Sequence, residues 1–180
     1  HDIEDLNAII DQFIDYARQD QQEEMSFFDI NSLIEELVEA HSVDTSHTID
    51  LNLQKLPRTR LRKVGIKRVI ENLISNAFRY GSDKIVVTTQ LTDKNKSIYC
   101  SIRDFGKGVD EAKINNLFNP FVQGDHARGS SGSGLGLAIV KRIVESHGGR
   151  MAFTNHPDGG LNAAFVVPIH YQTPAPSKSA

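Results

Sequence analysis

The chain reads as an α+β protein, a two-layer sandwich in which helices cover a mixed sheet. Helical stripes with alternating three- and four-residue spacing recur, among them Ile66, Val69, Ile70, Leu73 and Ala77. Strand-like alternation comes in adjacent pairs, at 84–90 with 97–103 and at 150–155 with 161–169. Strict alternation of strand and helix is missing, which disfavours a doubly wound nucleotide fold.

Taken in order, residues 2–19 carry Ile3, Leu6, Ile10, Phe13 and Ala17, the seam of a coiled coil or bundle helix; an ordinary core-facing helix has the same spacing. The polar run 19–24 reads as a linker. Phe27 and Phe28 suggest a short strand, and Asp29 or Asn31 can cap a helix through Leu33, Ile34, Leu37 and Val38. Ile49, Leu51 and Leu53 alternate as a strand, followed by a short one at 59–62. The helix with the Ile66 stripe is expected over 64–79. Strands 84–90 and 97–103 flank the polar turn 93–96. A helix is expected at 135–147, and the closing strands meet at Pro157-Asp158-Gly159-Gly160. Residues 172–180, rich in Pro, Ser and Ala, read as a disordered tail.

Composition narrows the function classes. Of the 180 residues 39% are hydrophobic, which suits a globular chain. A net charge of -3 gives no electrostatic reason to expect nucleic acid. Cys100 is the single cysteine, so neither an intrachain disulfide nor a cysteine zinc site can form, and its alternation with Ile98 and Ile102 points to an inert core thiol. No apolar run has the length of a membrane span, no signal peptide opens the chain, and no direct membrane contact is expected. The chain starts at His1 directly in helical pattern and reads as a piece of something longer.

Four segments carry chemistry. In Glu71-Asn72-Leu73-Ile74-Ser75-Asn76-Ala77-Phe78-Arg79-Tyr80, Asn72, Asn76 and Arg79 share one polar face of a helix. An asparagine carbonyl can ligate Mg²⁺ and an arginine can grip phosphates; a solvated helix face explains the pattern too. Asp104-Phe105-Gly106-Lys107-Gly108 follows a strand, where a carboxylate can accept from an adenine amino group and glycines permit close approach; a plain turn has the same composition. In 117–125, Pro120 breaks a short helix between Phe118 and Phe121, residues that suit loop anchors. In Gly129-Ser130-Ser131-Gly132-Ser133-Gly134-Leu135-Gly136-Leu137, glycines alternate just before a helix, where exposed N–H groups and the dipole favour phosphate. The pattern is neither a Walker loop nor a dinucleotide fingerprint.

Together and in this order the segments resemble the N box, first glycine box, F box and second glycine box of two-component sensor histidine kinases. These kinases belong to a wider ATPase family with gyrase, the large ATP-dependent heat-shock chaperone and the mismatch-repair protein MutL. The likeness covers about residues 25–171. It looks greatest to an osmosensing member, through Asn7-Ala8-Ile9-Ile10-Asp11-Gln12-Phe13-Ile14-Asp15-Tyr16, Arg79-Tyr80-Gly81 and 118–128. The resemblance implies the sandwich of the histidine kinase, gyrase and heat-shock chaperone type, a mixed sheet covered by about three helices and preceded by one bundle helix. Residues 1–22 would then be the end of the second dimerisation-bundle helix with its linker, 23–171 the ATP-binding domain and 172–180 a tail.

ATP and Mg²⁺ are the implied cofactors. By resemblance Asn76 would hold Mg²⁺, Asn72 would support the phosphate side, and Arg79, where many relatives have Lys, would contact phosphates. Tyr80 would pack on adenine or ribose, and Asp104 would read the adenine amino group on a wall shaped by Gly106 and Gly108. Phe118 would join the cofactor-binding set, as would Gly132, Gly134, Leu135, Gly136 and Leu137 at the end of a lid spanning 119–133.

The ATP-hydrolysing relatives carry a glutamate base where this chain has Asn72, and Glu71 points about 140° round the helix from Asn76. A histidine kinase is therefore implied, with the phosphoacceptor histidine on a separate dimerisation helix, a response regulator downstream in osmotic or envelope signalling, and a homodimeric parent. The chain would be the cytoplasmic portion of a bacterial inner-membrane sensor, binding ATP without phosphorylating itself. His1, His41, His47, His126, His147, His156 and His170 are scattered and none is assigned a catalytic role. Two other classes are distinguishable by experiment: a true ATPase would hydrolyse ATP continuously, and an interaction module would bind no nucleotide.

Overall fold

The computed structural model describes residues 2–41, 46–118 and 136–171. In chain order it contains α1 (Asp2–Gln22), β1 (Ser26–Phe28), α2 (Ile30–His41), β2 (Thr48–Leu53), β3 (Thr59–Leu61) and α3 (Lys63–Asn76). A π-helical turn (Ala77–Gly81) leads to β4 (Lys84–Thr92) and β5 (Ser97–Asp104). Then come α4 (Glu111–Ile114), α5 (Gly136–Ser146), β6 (Arg150–Asn155) and β7 (Leu161–Pro168).

The five-stranded sheet has the order β2-β4-β5-β7-β6, with β2 parallel to β4 and the other pairs antiparallel. A separate two-stranded sheet joins β1 to β3. The expected α+β architecture with a mixed sheet is present. Register explains the core: Val87 lies opposite Ile102, Cys100 opposite Phe165, and Phe153 opposite Ala163. With a side-chain period of two, these residues fall on one face. That face packs with Leu33 and Ile34 of α2, Ile66, Ile70 and Leu73 of α3, and Val140 and Val144 of α5. Phe165, wholly buried, sits among them; enclosing such a side chain contributes about 1.5–3 kcal/mol.

Two boundaries differ from the sequence expectation in ways that matter for the site. The first helix runs through Gln22, because 19–22 is polar but made largely of good helix formers. The helix expected over 64–79 stops as an α-helix at Asn76 and widens into the π turn, closed by the Ser82 N–H donating to the Ala77 carbonyl at 3.2 Å. Arg79 and Tyr80 therefore leave the α-helical register of Asn72 and Asn76. Asp29 proves to be the cap of α2, accepting from the Asn31 N–H at 2.9 Å.

α3 and α5 lie antiparallel, tied at one end by a buried histidine. The Arg62 N–H, just before α3, donates to His147 Nε2 at 3.0 Å, and Nδ1 of the same ring lies 2.7 Å from the Ile143 carbonyl. The ring is thus neutral, with its proton on Nδ1.

Replacing that ring tests its weight. His147→Phe should fill the space yet leave the Arg62 N–H without its acceptor, lowering unfolding free energy in urea by about 1–3 kcal/mol; no change would remove the ring from the account of how the helices are held. Cys100 provides a second test. Burial raises its pKa from 9.0 to about 12, so at pH 8 a thiol reagent should react only after denaturant is added. The folded pKa lies above the unfolded one, so this thiol's contribution to stability is complete below pH 9 and falls as pH climbs toward 12.

Candidate functional site

β5 supplies the central side chain. The inward-facing series Ile98, Cys100 and Ile102 continues to Asp104, which ends the strand and is only 6% exposed. A carboxylate held there needs partners. Oδ1 accepts from the Gly106 N–H at 2.9 Å and the Leu161 N–H at 3.2 Å. Oδ2 accepts no hydrogen bond among the described residues.

Glycine backbone passes unusually close to Asp104 and to the turn packed against it. A Cβ on Gly81 would fall onto the Asp104 carboxyl group, and one on Gly160 onto the Asp104 carbonyl oxygen. A Cβ on Gly106 would stand 2.7 Å from the Gly81 carbonyl oxygen. Gly160 also has φ +90, a conformation L side chains rarely adopt. The hairpin bearing it is held on its other flank by Arg103, whose Nη2 donates to the Gly159 carbonyl at 3.0 Å.

The loop after Asp104 is fixed by Asn155 at the end of β6. Its Oδ1 accepts from the Val109 N–H at 2.9 Å, and its Nδ2 donates to the Val109 carbonyl at 2.6 Å. Gly108, with φ +76, is where a Cβ would meet that same Oδ1. Ser82 joins the strands on the opposite side: its hydroxyl donates to the Lys84 carbonyl and accepts from the Phe105 N–H, at 2.7 and 2.9 Å.

α3 brings Asn72 and Asn76 to the same end of the fold. Both are half-buried, and neither side chain hydrogen-bonds to any described residue. Asn72 faces the start of α5: a Cβ on Gly136 would lie 3.6 Å from Asn72 Oδ1. The first N–H groups of α5 have no partner within their helix and carry its positive dipole end, so they suit an anion. In the π turn Phe78 stacks on His47 at 4.1 Å, while Tyr80 is 40% exposed with the Arg79 guanidinium 6.0 Å from its ring.

The contacts join Asn72 to Gly136, and join Asp104 and Gly106 to Gly81 of the π turn that carries Arg79 and Tyr80; Asn76 ends α3 just before that turn, and Gly108 lies against Asn155. Leu137 is partly buried against the core. Phe118 stacks on Phe153 at 4.7 Å beneath Lys141, a packing role. Gly132, Gly134, Leu135 and the expected lid over 119–133 lie outside the described residues. Sequence reading missed Gly81, Ser82, Asn155 and Gly160 as builders of the site; the Gly159-Gly160 pair at a hairpin was the available signal, since adjacent glycines there announce positive φ. Among the described residues no cluster of His, Cys, Asp and Glu has the arrangement of a metal site, and no helix is long and apolar enough to cross a membrane.

Comparison with known proteins matches this geometry. Residues 62–171 fit the family described as histidine kinase-, DNA gyrase B-, and HSP90-like ATPase. A probable sensor histidine kinase of Mycobacterium tuberculosis is 32% identical over 95% of this chain, which spans 44% of that relative's length. The histidine kinase domain of the E. coli osmosensor EnvZ is 31% identical, with a TM-score of 0.64 over 88% of this chain and 98% of that one. The catalytic domain of the histidine kinase ThkA is 26% identical, with a TM-score of 0.70 over 81% and 96%.

The crowding at Gly160 separates two sources of strain. Gly160→Ala should lose about 1–3 kcal/mol in urea unfolding. Gly159→Ala, at φ +102 but with its nearest heavy atom 3.9 Å away, should lose less. Equal losses would mean that backbone conformation alone, and not contact with Asp104, demands glycine there.

Proposed function

Since the chain belongs to the family of histidine kinase-, DNA gyrase B- and HSP90-like ATPases, we propose that it binds ATP with Mg²⁺ and presents the γ-phosphate to a histidine on a separate helix, as the nucleotide-binding portion of a two-component sensor kinase. One observation carries this reading: Asp104 has one oxygen committed to backbone N–H groups and the other accepting nothing from the described residues, with Gly81 pressed against the carboxyl group and Gly160 against its main chain. A nearly buried acceptor beside bare backbone suits a flat ring with an amino group.

The remaining residues fit the rest of that ligand. Tyr80 offers an exposed aromatic face for the ring or ribose, next to the Asp104 wall through Gly81. Phosphates would lie toward Asn72, Arg79 and the N-terminus of α5 at Gly136 and Leu137, with Gly132, Gly134 and Leu135 just before that helix proposed to join them. Carboxamide oxygens are hard donors suited to Mg²⁺, and Asn76 is the residue that would hold it. Bound magnesium supplies charge neutralisation at the phosphate oxygens.

Positioning then does most of the chemistry. The bond from the γ-phosphorus to its β-bridging oxygen breaks, a phosphorus–nitrogen bond forms at the incoming imidazole, ADP leaves, and the ring proton passes to solvent. Water competes poorly, because the Asn72 carboxamide, one turn before Asn76, cannot act as a general base. The chain divides on this reading into a bundle-helix end and linker (1–22), the ATP-binding unit (23–171) and a tail (172–180). Likeness to EnvZ supports the finer assignment: osmotic or envelope signalling through a response regulator, by the cytoplasmic part of a homodimeric, membrane-attached parent. Phosphotransfer to a panel of purified receiver domains tests that assignment.

Calorimetry tests the site itself. ATP should bind more tightly with Mg²⁺ than without, and Asn76→Ala should erase that difference. Asp104→Ala should weaken ATP, ADP and adenosine alike by roughly 10- to 100-fold. Absence of binding to the unsubstituted chain, or equal affinity for GTP, would remove the adenine reading; steady ATP hydrolysis would replace the kinase by an ATPase.

A further inference from the structure

α3 starts without a side-chain cap of its own, since Arg62 at its N-cap position offers none. The missing acceptor comes from about forty residues earlier in the chain. Glu23, one residue beyond α1, places Oε2 2.7 Å from the Val64 N–H and Oε1 3.0 Å from the Gly65 N–H. Both oxygens of one carboxylate thus serve the first turn of α3, at its positive dipole end. The Glu23 carbonyl in turn accepts from Arg62 Nε at 3.2 Å.

Phe13 of α1 packs against the core edge, with the Arg142 guanidinium of α5 at 5.8 Å. Among the α1 side chains the structure describes, Ile3, Leu6, Ile10 and Ile14 are exposed and Phe13 is the apolar one packed on the core. Arg62 Nη1 is buried without an acceptor among the described residues, an unsatisfied donor at the same point. Among the described residues, the contacts at Glu23 and Arg62 are polar and leave one donor unsatisfied.

Its position matters because α3 carries Asn72 and Asn76 toward its opposite end. Fourteen residues of helix, roughly 20 Å, separate the Glu23 cap from the proposed magnesium residue. We propose that Glu23 is a positioning residue that fixes the direction in which α1 leaves the nucleotide-binding unit. Release of this one carboxylate frees α1 while leaving the site assembled. The functional meaning rests on the nucleotide reading given above: the angle of α1 would set where a phosphoacceptor stands relative to the bound γ-phosphate.

A distance measurement on the 180-residue chain tests this. Spin labels at Ile10→Cys on α1 and Gln90→Cys on β4 report the joint, with buried Cys100 left unlabelled. The otherwise unsubstituted pair should give one narrow distance. Glu23→Ala should broaden it and speed amide exchange at Val64 and Gly65 by about tenfold, with ATP affinity within about twofold of the parent. Glu23→Gln, keeping one carbonyl acceptor, should restore part of the narrow population. An unchanged distance in Glu23→Ala would overturn the proposal, as would a loss of ATP affinity matching that of Asn76→Ala. Broadening in a chain that never bound ATP would leave the joint standing and remove the nucleotide reading instead.

Discussion

The architecture depends on two antiparallel helices that share both their ends. α3 begins where the Arg62 N–H meets His147, just past α5, and finishes near Asn72, which faces the first residue of α5. Between those points Ile66, Ile70, Leu73, Val140 and Val144 seal the pair onto the sheet. A close-packed layer of this kind transmits displacement poorly by bending and better by moving as a unit. One end of the pair meets the linker from α1 and the other gathers the amide-bearing residues, so the same rigid body touches both.

Asp104 shows how a fold can strip a group of its ordinary surroundings without burying it completely. Strand alternation turns it toward the core, the strand's end puts it at the margin, and glycines bring main chain where side chains would normally stand. Half of the carboxylate is consumed in holding the next loop. The remaining half keeps its acceptor capacity in an environment with little water, where a hydrogen bond counts for more than at the surface.

Much of this was legible beforehand, for identifiable reasons. Periodicity is a local property, so the stripe in α3 and the alternation in β4, β5 and β7 could be read residue by residue. The residues 150–155 were bounded correctly because turn-formers frame them on both sides. Asn72, Asn76, Asp104 and Gly136 were nominated from composition and order, and the fold brings them to one end. What stayed hidden was non-local. Asn155 looks like an ordinary strand-end residue until its amide is seen bridging Val109, and Glu23 is one acid among many until α3 arrives beneath it. The π turn was missed because no residue type in 77–81 encodes it; packing of Gly81 against Asp104 accompanies the extra residue.

The two hairpins of the five-stranded sheet have unequal freedom to change. The turn at 93–96 uses left-handed Asp93, Lys94 and Asn95 and lies at the far end of β5 from Asp104. The turn at 157–160 presses on Asp104 itself and is clasped by Arg103. Both are short, polar connections, of the sort where chains are ordinarily cut and rejoined. Here only the first can accommodate new termini or a grafted domain; the second behaves as a structural wall that happens to be written as a loop.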